Sequence, residues 1–393
     1  MSLAQLMQKQ DKLVIGLMSG TSADAVDAVL VQITGHGLDT VVRQRAYVTV
    51  PFDDAVREEI LRVARGDYGG TYTICMLQEV LGQLYLEACE AVCAKAGIAA
   101  TAVDLIGCHG QTVYHQPLAE QYLGRSVAST LQIGDVSPIC EKLHTIVVSD
   151  FRVRDVAAGG QGAPLVPYSE YLIYRSKTQN IALQNIGGIG NITFLPANGA
   201  MGDTIAFDTG PGNMLMDGMI AKMTGGKQRW DEGGKTAAKY DWDEALLDFL
   251  MQDAYLAQCP PKTTGRERYT EAFLATVLQQ AAALGLADGQ VLRTLTRYTA
   301  KTIAFSARQY LPALPDRLIV GGGGSYNETL LHDIAEYLPK TEVLTNEQIG
   351  FDGDAKEAVA FAVLANETIH GGCNNVPSAT GAAHPVIMGK ISQ

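Results

Sequence analysis

KLVIGLMSGTSADAVDAVLVQI, residues 12–33, decides the fold. An apolar run enters a turn of small and polar residues and a second apolar run leaves it, the pattern of two strands joined by a tight loop. NIALQNIGGIGNITFL, residues 180–195, repeats the plan. Two copies predict a duplicated α/β fold of two lobes, each opening with strand, glycine turn and strand, around an interlobe cleft.

Between the copies, residues 53–64 and 72–96 read as helices, the second carrying Met76, Val80, Leu81 and Leu84 at helical spacing. An apolar run at 103–107 reads as a strand delivering the polar loop CHGQTVYH. Past the second hairpin, 213–223, 242–255, 269–284 and 292–309 read as helices, with Pro260 and Pro261 as breakers. Residues 316–320 form a strand that enters GGGGSYN and then a helix at 328–337. A last helix at 355–370 precedes a tail rich in Gly, Asn and Pro. These elements predict an N-terminal lobe over 1–178, a C-terminal lobe over 179–370, and a tail over 371–393 that packs back on the first lobe.

Composition narrows the function. The chain has 393 residues, 47% hydrophobic and 18% charged, with a net charge of −12, so it has ample apolar surface for a packed core. No basic run follows a phosphate backbone, which argues against nucleic acid. No stretch approaches the roughly 20 apolar residues of a membrane span, so a cytoplasmic protein without membrane partners is expected. The seven cysteines lack disulfide-scaffold or zinc-ribbon spacing and read as reduced thiols. Glycine is enriched at 41 residues, three glycine loops follow strands, and such loops present backbone N–H groups to anions.

Three common signatures fail. Neither Gly188 and Gly190 nor Gly321 and Gly323 are completed to GxGxxG, and Arg229 stands where a P-loop ending in Gly234-Lys235-Thr236 needs glycine. Ser325 is followed by Tyr326 and Asn327, so no GxSxG elbow exists. What remains is AFDTGPGNMLMD, residues 206–217. Its Asp208 stands before a Thr-Gly-Pro-Gly turn at a helix entrance, where it is either an ordinary turn aspartate or a base for a nucleophile in line with a γ-phosphate. Asp24 and Asp27 are backbone caps or water-mediated magnesium ligands, with Asp24 the metal candidate. His109 and His115 lack a third ligand for zinc. Gln111 and Thr112 are candidates for substrate hydrogen bonds. In residues 150–167, Arg152 or Arg154 either joins a salt-bridge loop or meets a substrate carboxylate with its bidentate fork.

Together MSGTSADAVD, IGCHGQTVYH, LQIGD, SDFRVRDVAAGGQGAPLVP, NIGGIGNITFLP, FDTGPGNMLMD, PKTTGRE, VGGGGSYN and PSATGA resemble, in order, the anhydro-N-acetylmuramic acid kinase family. That family lies in the sugar kinase, Hsp70 and actin superfamily, with a duplicated ribonuclease H-like fold. The resemblance implies a reaction of ATP, magnesium and water with 1,6-anhydro-N-acetylmuramic acid, opening the internal ether and phosphorylating O6, in cell-wall recycling. It also implies a homodimer. The family's ATP segment falls on Gly20, Thr21, Ser22, Ala23, Asp24, Ala25, Val26 and Asp27, and Gly321, Gly322, Gly323 and Gly324 are expected toward adenosine. The second hairpin and helix entrance add Gly187, Gly188, Asn191, Gly210, Gly212 and Asn213 as nucleotide-binding candidates. The catalytic aspartate falls on Asp208, and Thr112 and Arg154 match positions assigned to the sugar and its lactyl carboxylate. Ala23 and Ala25 replace the family's usual leucine and glycine. The competing readings are a conventional sugar kinase without ring opening, and a nucleotide-switched, non-catalytic Hsp70-like or actin-like protein.

Overall fold

The computed structural model describes residues 1–67, 69–265 and 268–393. Arg266 and Glu267, which end the PKTTGRE motif, lie outside the described residues. The chain divides into unit 1, Met1–Ile173 with Gly350–Gln393, and unit 2, Tyr174–Ile349.

In unit 1, the hairpin read from residues 12–33 is β1 (Asp11–Ser19) and β2 (Ala25–Thr34), antiparallel with Ile15 opposite Leu30. β3 (Val41–Pro51) pairs antiparallel with β2. β4 (Leu105–Tyr122) lies parallel to β1, is joined by antiparallel β5 (Arg125–Ile133), and has β6 (Ile146–Ser149) parallel on its other side. The HGQTVYH segment, expected as a loop, is therefore strand: its backbone groups are satisfied by β5, a pairing that apolar periodicity alone does not reveal.

β1 is almost continuously buried because both sheet faces are covered. Ile15 and Leu17 pack with Leu81 and Tyr85 of the helix Thr71–Ala96. On the other face Gly16 and Gly107 sit opposite each other in register, and the helix Lys356–Ile369 crosses them closely. A Cβ on Gly16 would lie 1.8 Å from the Ala358 carbonyl oxygen, and one on Gly107 2.1 Å from that of Phe361. This helix, which the sequence reading grouped with the C-terminal lobe, belongs to unit 1 by that packing. Its Glu367 accepts the Gly37 N–H at 2.9 Å, and its Asn366 amide donates to the Gly35 carbonyl. Past it, the strand Lys390–Ser392 pairs antiparallel with β6.

Unit 2 contains β7 (Ile181–Ile186), β8 (Ile189–Leu195), β9 (Ile205–Pro211), β10 (Arg317–Gly321) and β11 (Glu342–Thr345). β7, β8 and β9 run antiparallel in sequence, while β10 lies parallel to β7 and β11 parallel to β10. The order β9-β8-β7-β10-β11 repeats β3-β2-β1-β4-β6 in every pairing sense. The paired hairpins predict this duplication, and the ribonuclease H-like order is what the resemblance implies. The helix expected at 242–255 is shorter, Glu244–Leu250, and Tyr255 beyond it is buried in the unit 2 core.

Candidate active site

In both units the candidate residues gather at the carboxyl ends of the parallel strands, where such sheets bind ligands. In unit 2, β7 ends at Gly187-Gly188, and these carbonyls receive the helix entrance: Gly212 N–H donates to Gly188 at 2.8 Å and Asn213 N–H to Gly187 at 2.7 Å. The Asn213 side-chain amide donates to the Ile186 carbonyl at 3.2 Å. The N–H groups of Gly212 and Asn213, expected to face nucleotide, thus lock the turn to the helix Met214–Thr224. The loop after β10 passes the same point. Gly322 has φ +77, and a Cβ there would meet the Asn185 side-chain oxygen at 2.6 Å, so glycine is needed on both grounds.

Beside this junction is a cavity of about 550 Å³ lined in part by Asn213, Asp217, Trp230, Asp231, Gly323 and Tyr326. Trp230 and Tyr326 are 63% and 56% exposed, unusual for large aromatic residues and apt for a planar ring. Burial pushes the Asp217 carboxyl up to about 6. None of Trp230, Asp217, Asp231 and Tyr326 belongs to the expected set. Tyr326 lies in the quoted VGGGGSYN and Asp217 ends FDTGPGNMLMD, so a signal existed for those two. Trp230 and Asp231 sit in an irregular segment without one.

Asp208 lies within β9, opposite Asn191 of β8. Its Oδ2 accepts the Thr264 N–H at 2.8 Å, its own N–H donates to the Lys262 carbonyl, and its carbonyl accepts the Tyr255 hydroxyl. Oδ1 has no hydrogen-bond partner among the described residues. Burial raises this carboxyl above its ordinary range, and the Thr264 N–H holds it back in part. A half-buried acid with one oxygen fixed and the other available is built to accept a proton.

In unit 1, β1 ends at Ser19, and Gly20 opens the turn. The turn closes with Ala23 N–H donating to the Gly20 carbonyl, while the N–H groups of exposed Thr21 and Ser22 have no acceptor among the described residues. Ala23 takes φ +52 and, with Val26, sends its side chain into the core. Ala25, Val26 and Asp27 already belong to β2. Asp27 accepts from Tyr47 and Thr49 across the sheet, each at 2.7 Å. Asp24, the expected metal ligand, is instead exposed and paired with the Arg57 Nε at 2.9 Å. No cluster of three His, Cys, Asp or Glu side chains able to hold a metal occurs among the described residues. That search does not bear on magnesium held through water and phosphate oxygens, for which the exposed Asp24 carboxylate would have to leave Arg57.

A second cavity, about 250 Å³, lies beside His109 within β4 and at the end of β6, lined by residues including His109, Gln132, Asp135, Asp150 and Lys390. Arg152 donates its Nε to the His109 Nε2 at 2.9 Å and another N–H to the Gly162 carbonyl at 2.6 Å. Burial, with the neighbouring Arg152 charge, drops the His109 imidazole to about 3, so it is a neutral acceptor. Arg152 has no carboxylate partner among the described residues. Its salt-bridge reading is thereby corrected: Asp155 is buried and binds Gly162, Asn375 and Thr380, tying the tail to this loop. Arg154 is exposed. Gln111 is buried and donates to the Gly20 carbonyl at 3.1 Å, bracing the turn, and Thr112 accepts from Gln132.

The family model described as anhydro-N-acetylmuramic acid kinase matches residues 12–393. An anhydro-N-acetylmuramic acid kinase of Caldanaerobacter subterraneus subsp. tengcongensis is 47% identical over 99% of this chain and 99% of its own. Those of Clostridioides difficile and Bacillus cereus are 44% and 42% identical, covering 96% of this chain and 97% and 98% of theirs.

Proposed function

Because this chain belongs to the anhydro-N-acetylmuramic acid kinase family, we propose that it converts 1,6-anhydro-N-acetylmuramic acid, ATP and water to N-acetylmuramic acid 6-phosphate and ADP, with Asp208 as the general base. The carrying observation is the Asp208 carboxylate: half-buried, aimed by the Thr264 N–H, and raised toward neutrality by desolvation. Asp208 takes a proton from water as the water oxygen bonds to the anomeric carbon. The bond from that carbon to O6 breaks, O6 attacks the γ-phosphorus, and the bond to the bridging oxygen of ADP breaks.

The remaining roles follow from the chemistry of each site. The adenosine end occupies the unit 2 cavity, with Trp230 and Tyr326 as faces for the base and the Gly321, Gly322, Gly323 and Gly324 loop alongside. The open N–H groups of Thr21 and Ser22 receive the phosphate tail. The sugar takes the unit 1 cavity beside Thr112, where Arg152, a guanidinium bonded to the cavity-lining His109 and with no carboxylate paired to it among the described residues, meets the lactyl carboxylate with the exposed Arg154 in support. Magnesium, when bound, would offset phosphate charge, and Asp24, which shares an exposed ion pair with Arg57, is the side chain that would reach it through water. A cytoplasmic homodimer accompanies this reading; no helix among the described residues is long and apolar enough to cross a membrane.

Two measurements test it. Asp208→Asn should lower kcat by about 10² or more while ATP binding persists, because general-base help is worth roughly 10²- to 10⁴-fold. Activity within tenfold of the parent removes Asp208 from this role. In water enriched in heavy oxygen, the label should enter the anomeric hydroxyl; label in phosphate would mean ATP hydrolysis, and a product gaining phosphate without water would mean a conventional sugar kinase.

A further inference from the structure

Lys262 is 5% exposed, a burial that lysine rarely tolerates without an acidic partner. No carboxylate pairs with it among the described residues. Its ammonium instead faces three rings, 4.3 Å from the Tyr310 centroid, 4.7 Å from Tyr255 and 5.7 Å from Phe207. It also donates to the Leu256 carbonyl at 3.4 Å. Burial lowers its proton affinity, opposed by Cys259 and Asp253. Ring quadrupoles favour a cation at such distances, and a desolvated cation gains more from them than an exposed one.

Phe207, Tyr255 and Lys262 of this box also adjoin Asp208. Phe207 precedes it in β9, Tyr255 donates its hydroxyl to the Asp208 carbonyl, and the Lys262 carbonyl accepts the Asp208 N–H at 3.2 Å. Two residues on, Thr264 supplies the N–H that fixes Oδ2. Further along, Arg268 is paired with Asp253, whose other oxygen accepts from Tyr269. Lys262 is thus held by aromatic faces and Arg268 by an acid, with Thr264, whose N–H aims Asp208, between them in sequence.

We infer that Lys262 is a positioning residue for the base: its ammonium, seated between Phe207, Tyr255 and Tyr310, holds the Thr264 N–H on Asp208. The inference rests on Asp208 being the base. It assigns Lys262 no contact with either substrate, so its loss should act on turnover and on the acidity of Asp208, and not on ATP capture. Without the Thr264 N–H, the Asp208 carboxylate loses the one donor it has among the described residues and titrates at higher pH.

The test compares Lys262→Met, which keeps the stem and removes the charge, with Lys262→Arg, which keeps a cation. Lys262→Met should lower kcat by about 10- to 100-fold, the penalty of small misplacement, with KM for ATP unchanged. The acid limb of its kcat profile should move to higher pH, and the Asp208 carboxyl resonance in labelled protein should titrate higher than in the parent. Lys262→Arg should restore most of both. If Lys262→Met does not fold, Tyr310→Leu, which removes one wall of the box, is read in the same way. An unmoved carboxyl titration with native kcat overturns the positioning role even when Asp208→Asn is inactive. An active Asp208→Asn overturns the reading beneath it, yet the carboxyl titration still reports whether Lys262 aims the donor.

Discussion

Desolvation acts at Asp208 and Asp217 in the same direction, toward a carboxyl that holds its proton longer. For Asp217 the pKa rises from 3.8 to about 6. A carboxyl raised by folding contributes stability fully below about pH 3.8 and loses it as pH climbs through about 6. Asp217→Asn, neutral throughout, should therefore melt higher than the parent at pH 7.5, and the gain should vanish near pH 3.5, as calorimetric melting would show. If the ionised acid serves nucleotide, parental ATP affinity should also fall as pH drops through about 6, and titration calorimetry on Asp217→Asn should lack that limb. Arg152 allows a matching test on the sugar. A charge-assisted hydrogen bond is worth roughly 1.5–3 kcal/mol, so Arg152→Met should raise KM about 10-fold or more for the lactyl sugar and little for an analogue without the carboxylate. Equal losses on both sugars would move the carboxylate contact elsewhere.

At the scale of elements, closeness between the helix Lys356–Ile369 and the sheet depends on two absent methyl groups. Gly16→Ala places a Cβ on a backbone carbonyl that cannot swing aside, as a side-chain end would. Overpacking commonly costs about 1–3 kcal/mol, and here the upper end is expected, read as a lowered midpoint in urea. An unchanged midpoint would mean that the helix yields freely. These elements also show what a sequence exposes. The β1–β2 and β7–β8 hairpins were legible because their signal is local: apolar runs either side of a small-residue turn. Asp208 is singled out by the glycine-rich stretch and helix entrance that follow it, although Thr209, Gly210 and Pro211 continue the strand where the sequence reads as a turn. The allegiance of the last helix was not legible, since nothing local says that Gly16 and Gly107, far apart in sequence, form one notch for it. The same holds for Asp24, whose partner Arg57 lies on another element, and for Trp230, whose importance is its exposure, a property of the folded surface.

For the molecule as a whole, one topology occurs twice with divided labour. One copy carries a turn with open N–H donors and a polar cavity beside His109 of β4 and the end of β6; the other carries Asp208 and the aromatic cavity. The proposed reaction joins chemistry from both copies, and ATP should be spared from water until sugar is present. That requires the ligands to favour a common state, which makes their binding linked and reciprocal. A non-hydrolysable ATP analogue should then tighten the anhydro sugar by about fivefold or more, and the sugar should tighten the analogue by the same factor, since the coupling energy belongs to the pair. Titration calorimetry in both orders measures the two factors independently. Joint binding should also reduce the radius of gyration in small-angle scattering more than either ligand alone. Independent binding, with no compaction and ATP turnover as fast without sugar as with it, would show that each copy acts alone, and concerted ring opening and phosphorylation would lose its physical basis.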